Sequence, residues 1–227
     1  MAKLLYIFTL VSFFLFPSAF VFAHQPYLVD SEKQIVVNNP EISKAYYGNF
    51  NGTSTVFVIN ENKPFNFYVG ILVPAIMTIP RNITAEIRRD NEPIAFLKAT
   101  GTDWEEFYEP YGGDKYFQGP EWRGTATSGV YTIILSRPEN TGKYVLAIGE
   151  KEVFTFDETL RTIKLLPTLK SEYMGAPVWM AYFNRIGIFM AMAFVGCVIA
   201  FLILGEIFRA IGRFFRWLFG KPKNVRD

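Results

Sequence analysis

The 227-residue sequence predicts a mainly β protein: an antiparallel β-sandwich of jelly-roll or immunoglobulin-like type, plus one transmembrane α-helix near the C-terminus. Three observations carry this. Short runs rich in Val, Ile, Thr, Tyr and Phe alternate with turn clusters from Gln34 to Phe156. No strand–helix alternation appears there, which disfavours a parallel α/β sheet. Ile186 to Leu204 then runs 19 residues without a charge. As a helix that run reaches about 28 Å, close to the thickness of a bilayer's hydrocarbon.

The expected strands, in order, are Gln34–Val37, Thr55–Ile59, Pro64–Val73, Thr84–Arg89, Ile94–Lys98, Gly129–Ser136, Lys143–Gly149 and Val153–Phe156. The gaps hold turn formers such as Asn51-Gly52, Asp90-Asn91-Glu92-Pro93 and Pro138-Glu139-Asn140-Thr141-Gly142. Tyr131, Ile133 and Leu135 alternate with Thr132, Ile134 and Ser136, and Tyr144, Leu146 and Ile148 alternate with Val145, Ala147 and Gly149. Such inward faces, with Phe65, Phe67 and Val69, fill a core without disulfides. The single Cys, Cys197, falls inside the apolar run.

The ends address the chain to a membrane. Residues 1–23 read as a signal peptide: Lys3, an apolar run from Leu4 to Phe16, then Val21-Phe22-Ala23 as a small-residue cleavage site. Residues 24–157 form the expected exported sandwich, 158–180 a juxtamembrane connector, 181–205 the transmembrane helix and 206–227 a basic amphipathic tail. In the connector Leu160, Ile163, Leu166 and Leu169 recur at helical spacing with Pro167 interrupting, so a short helix and a stiff turn are expected. Trp179, Tyr182 and Arg185 stand where an interfacial belt belongs. Arg209, Arg213 and Arg216 fall on one face of the tail helix, opposite Phe214, Phe215 and Leu218, with Trp217 beside them, a pattern suited to a lipid surface. Gly196 and Ala200 offer a small-residue face for a membrane-protein partner or a second copy.

Charge sets the orientation. Residues 24–180 carry 15 basic and 19 acidic side chains, a net −4, whereas the chain after Leu204 carries six basic and two acidic, a net +4. Positive segments stay in the cytoplasm. The expected topology is single-pass in the cell membrane, with the N-terminal domain outside (periplasmic or extracellular) and the C-terminus cytoplasmic. The overall charge of +2 excludes a strongly basic nucleic-acid binder.

Asp103 to Gly124 is the segment with the chemistry of a site. Seven aromatics and six carboxylates fall in its 22 residues. Trp104, Tyr108, Tyr111, Tyr116 and Trp122 with Glu106, Glu109 and Asp114 form the candidate binding loop. Exposed rings and carboxylates there suit a sugar, a protein partner or calcium, which needs about 6–8 oxygens. The competing reading is a loop that folds back and buries its own aromatics. Glu106 and Glu109 are a carboxylate pair of the kind glycosidases use. No G-x-S-x-G elbow, P-loop or H-E-x-x-H occurs. His24, the only His, becomes the N-terminus after cleavage at Ala23; its amine and imidazole are copper ligands, but a second His is lacking. No catalytic residue and no metal site are assigned.

The segment Gly129-Val130-Tyr131-Thr132-Ile133, followed by Gly142-Lys143-Tyr144-Val145-Leu146-Ala147-Ile148-Gly149, resembles the closing hairpin of PPC-type (prepeptidase C-terminal) and emp24/GOLD-type sandwiches. The resemblance implies a binding or interaction module rather than an enzyme. The layout of signal, sandwich, span and short tail with Phe214-Phe215 is similar to the p24 cargo receptors. The chain lacks their lumenal cysteine pair, their coiled coil and their dilysine tail, which favours a prokaryotic relative of the sandwich. The expected function is therefore non-enzymatic binding or scaffolding, as an accessory partner of a membrane protein assembly. A surface carbohydrate- or calcium-binding module and a p24-like cargo receptor are the alternatives.

Overall fold

The structure, a computed structural model, describes residues 24–29, 34–101, 103–153 and 155–220. The expected signal peptide and the tail residues Lys221, Lys223 and Arg226 lie outside the described residues. Residues through Ile186 belong to one compact unit, and the helix from Gly187 onward to another.

The first unit is a mainly β sandwich of two sheets. Its strands are β1 (Gln25–Leu28), β2 (Gln34–Val36), β3 (Lys44–Asn51), β4 (Thr55–Glu61), β5 (Phe65–Pro74), β6 (Thr84–Arg89), β7 (Glu92–Lys98), β8 (Glu105–Glu109), β9 (Asp114–Ala126), β10 (Gly129–Ser136) and β11 (Thr141–Ile148). One sheet runs β1-β3-β11-β5-β9-β8 and the other β2-β4-β10-β6-β7. Pairing among the described strands is antiparallel except at two edges, where β1 joins β3 and β2 joins β4 in parallel. The chain leaves β1 for β2 in the opposite sheet before returning to β3, and a parallel partner requires such a crossover.

The alternating residues of β10 and β11 meet between the sheets as expected. Tyr131, Ile133, Leu135, Tyr144, Leu146 and Ile148 are buried there with Phe57, Phe67 and Ile71. Burying each such side chain stabilises by about 1.5–3 kcal/mol before the entropy of ordering is set against it. Phe67 receives ring edges from Tyr131 at 5.4 Å and from Trp122 at 5.1 Å.

The outer face of the six-stranded sheet is covered too. Ala45, Tyr47, Tyr68, Leu72, Tyr116, Val145 and Ala147 form a second cluster with Leu169 and Tyr173 of the connector. A strand buried on both faces loses its polar alternation, which is why Tyr144-Val145-Leu146-Ala147-Ile148 is apolar throughout.

Several elements depart from expectation. β1 and β3 are strands where no strand is expected, and β8 and β9 are strands where a loop is expected. In β3, Gly48 imitates a turn former. Its role is space: a β-carbon there would lie 2.2 Å from the ring of fully buried Tyr144. The described residues of the expected strand Val153–Phe156 are not strand. Thr155 instead caps helix α1 (Phe156–Thr168), its hydroxyl accepting from the Glu158 N–H at 3.2 Å, with Asp157 and Glu158 in the first turn.

Pro167 lies inside α1 rather than ending it, and the helix runs on as a π-helical turn (Leu169–Tyr173). A 3-10 helix follows (Val178–Tyr182), then α2 (Arg185–Phe219). From Arg185 through Phe219 the expected span and the described part of the tail are one continuous helix of 35 residues, about 52 Å long. None of its residues is buried, and by length and composition it can cross a membrane. Residues 181 and 182, expected in the span, belong to the 3-10 turn.

Candidate functional site

The aromatic-acidic segment is an edge hairpin. β8 pairs antiparallel with β9, Glu109 stands opposite Asp114, and Pro110 to Gly113 turn the chain, Gly113 with φ +67°. Both carboxylates converge on Gly112. A β-carbon there would meet Glu109 Oε2 at 2.9 Å and Asp114 Oδ2 at 3.0 Å, so a larger residue would push the carboxylates aside. Glu109 accepts the Tyr111 N–H at 2.8 Å and the Gly112 N–H at 2.6 Å.

Asp114 forms an ion pair with Lys170 from the connector's π-helical turn. Their side chains are only 12% and 5% exposed. Burial pushes the Glu109 carboxyl up against the pull of its two backbone N–H groups, and pushes Asp114 up against the pull of Lys170. A buried ion pair of this kind costs desolvation, and removing one partner costs more than the pair contributes.

Hydroxyls and an amide extend the cluster. Tyr47 and Tyr116 share a 2.7 Å hydrogen bond, and the Tyr173 hydroxyl donates to the Tyr47 carbonyl at 3.1 Å. Burial raises both Tyr47 and Tyr116 well above the usual phenol range. Asn184 Nδ2 donates to the Gly112 carbonyl at 2.9 Å and to that of Ala181 at 2.8 Å. The Arg185 guanidinium lies 5.6 Å from the centre of the Tyr111 ring. The arrangement clamps the hairpin turn to the connector.

Of the eight candidate loop residues, Glu109, Tyr111, Asp114 and Tyr116 come together in this clamp. Trp104 and Trp122 pack against the sandwich core: Trp104 lies over Gly119 and donates to the Arg81 carbonyl at 2.7 Å. Glu106 and Tyr108 sit exposed on edge strand β8, Glu106 with Lys115 at 3.9 Å. Glu109 is tied at the turn, and Glu106, three residues back on β8, is solvated. The carboxylates that could serve calcium are occupied by N–H groups and an ammonium. Among the described residues no group of three or more His, Cys, Asp or Glu converges as a metal site.

Lys170, Tyr47 and Asn184 complete the clamp and are not among the expected site residues. Lys170 carries the clearest signal in the sequence. It shares helical spacing with Leu166 and Tyr173, and a charge on that buried stripe needs a partner.

His24 is half-buried, with its Nδ1 2.5 Å from Ser43 Oγ. Burial lowers its pKa against the opposing pull of Glu150 and Glu121. Nearby Arg123 bridges Glu150 at 2.8 Å and Glu121 at 2.5 Å.

The interfacial residues are exposed. Trp179 meets Phe183 edge to face at 5.4 Å, and the Tyr182 hydroxyl donates to the Ile163 carbonyl at 3.2 Å. On α2, Arg209 pairs with Glu206 at 2.9 Å, Arg216 reaches the Gly212 carbonyl at 3.4 Å, and Arg213 and Trp217 are exposed. Gly196 has open space around its α-carbon.

No protein-family pattern and no curated protein matches the sequence. Among solved structures, the chain is similar to the pre-peptidase C-terminal domain of a collagenase from Bacillus anthracis, with 13% identity over 53% of this chain and 97% of that one, at a TM-score of 0.33. It is also similar to CorA, a surface-associated copper-binding protein of Methylomicrobium album BG8, with 8% identity over 55% of this chain and 100% of that one, at a TM-score of 0.28. A β-glucosidase from Paenibacillus barengoltzii shares 10% identity over 54% of this chain and 13% of its own, at a TM-score of 0.27.

Proposed function

We propose that the protein is a non-enzymatic, membrane-anchored binding or scaffolding module, an accessory partner of a membrane protein assembly. One observation carries the reading: α2 is 35 residues long, apolar through its first half, and buries none of its residues. A helix so exposed needs lipid or another membrane protein around it. The carboxylates of the clamp support a structural role, because each is held by an internal donor rather than aimed at a cleft.

The charge difference between residues 24–180 and the tail supports an outside sandwich and a cytoplasmic C-terminus. Exposed Tyr108 on β8 and the Gly196 and Ala200 face of α2 are the surfaces offered to a partner. Extraction of native membranes in mild detergent, followed by mass spectrometry, tests the reading. A membrane protein at constant stoichiometry is the expected result; a lone monomer overturns the partner role. Protease digestion of spheroplasts or right-side-out membranes tests orientation, since an outside sandwich is cut while the tail is spared.

A further inference from the structure

We infer that Val178 to Phe183 is a preformed membrane foot, with Val178, Trp179, Met180 and Phe183 seated in the headgroup–acyl boundary of the bilayer that α2 spans. This rests on reading α2 as a membrane span. The 3-10 turn spends its polar groups inward. The Met180 N–H donates to the Pro177 carbonyl at 2.9 Å and the Phe183 N–H to that of Met180 at 3.1 Å. Ala181 is fully buried, Tyr182 bonds Ile163, and Asn184 binds both Ala181 and the hairpin turn at Gly112.

What remains outside is apolar. Trp179 is 64% exposed and Phe183 78%, with Val178 and Met180 beside them. The two rings already stand edge to face at an interplanar angle of 88°. A contiguous exposed patch of large apolar side chains on a fixed turn marks a contact surface.

Chain reach favours lipid as the occupant. At up to about 3.6 Å per residue, Phe183 lies within about 7 Å of Arg185, the first residue of α2, and Trp179 within about 22 Å. An amphipathic Trp ring with an Arg beside it is the composition that headgroup depth favours.

The full chain is reconstituted into vesicles of mixed zwitterionic and anionic phospholipid, with and without lipids brominated near the headgroup. Subtracting the emission of Trp179→Phe isolates Trp179. The expected result is loss of the Trp179 emission in brominated vesicles and no quenching by aqueous iodide, with Phe183→Ser shifting the remaining emission to the red. If the chain floats with the vesicles while iodide quenches Trp179 and bromine does not, the foot is wrong and the anchor stands. If neither agent reaches Trp179, a second copy covers it and the foot is equally wrong. A chain that fails to float overturns both readings.

Discussion

The Tyr182 hydroxyl donates to the carbonyl of Ile163 at 3.2 Å. That oxygen sits four residues before Pro167, whose ring nitrogen carries no hydrogen to close the helical bond. The two interruptions of regular structure in the connector thus answer each other. The proline frees an acceptor inside α1, and the 3-10 turn brings back the donor.

Replacing Tyr182 with Phe removes that donor. The expected cost is about 0.5–1.5 kcal/mol, the net worth of a hydrogen bond in a protein. In a Pro167→Ala background the helix supplies its own N–H, so the cost shrinks. Thermal melting of the two single variants and the double variant in detergent measures the coupling. Equal costs in both backgrounds would remove the complementarity.

Lys170→Met leaves Asp114 buried beside Glu109 without a cation, and the expected loss is about 3–5 kcal/mol. Adding Asp114→Asn removes the orphaned charge and recovers much of it. Urea unfolding of the wild type and the two variants checks the order. A double variant no better than Lys170→Met would show that the pair acts through packing alone.

The Glu109 carboxyl is raised by burial above its ordinary value of 4.5. A carboxyl raised in the folded state binds its proton more tightly there than in the unfolded chain. Its contribution to stability is therefore fully present below 4.5 and is lost as pH rises through the raised folded value. Glu109→Gln does not titrate. Asp114, raised as well, titrates in both proteins. The stability of the wild type relative to Glu109→Gln is expected to grow as pH falls from 7 toward 4.5, measured as urea midpoints at each pH. A flat or shrinking difference contradicts the assignment.

Gly48→Ala places a methyl group 2.2 Å from the fully buried Tyr144 ring, which must move to admit it. Overpacking of this kind costs about 1–3 kcal/mol. Tyr144→Leu in the same chain shortens the opposing side chain, so the added cost of Gly48→Ala falls. Melting temperatures of the four proteins decide it.

The candidate loop residues separate by burial. Trp122→Ala, which removes a partly buried ring packed on Phe67, is expected to cost about 1–3 kcal/mol, whereas Tyr108→Ser and Glu106→Gln change stability by less than about 0.5 kcal/mol. Calcium leaves the melting temperature unchanged, because N–H groups and Lys170 hold Glu109 and Asp114. A calcium-dependent rise in melting temperature would reverse that assignment.

The strands read most directly are those with one wet face. β10 alternates Tyr131, Ile133 and Leu135 with polar or half-exposed neighbours, and its pattern survives intact in the fold. β3 was illegible for a local reason: Gly48 and Asn49 resemble a turn, and their role appears only when Tyr144 from a distant strand lies over the glycine. β8 and β9 were hidden because their aromatics and acids look like a loop seeking a ligand. The partners of those groups, Phe67 for Trp122 and Lys170 for Asp114, come from other segments of the chain. Thr155 resembles strand because a single capping residue looks like any β-branched residue.

By itself the sequence determined the sandwich class, an apolar segment long enough to span a bilayer and the contrast of charge on its two sides. Each is written in local composition and period, and hydrophobic burial acts on those directly. Only the tertiary structure decided what the acidic and aromatic groups near residue 110 do. Whether a carboxylate faces solvent, a metal or a lysine depends on which distant residue the fold brings to it. Lys170 lies 56 residues from Asp114, and no local pattern encodes that meeting.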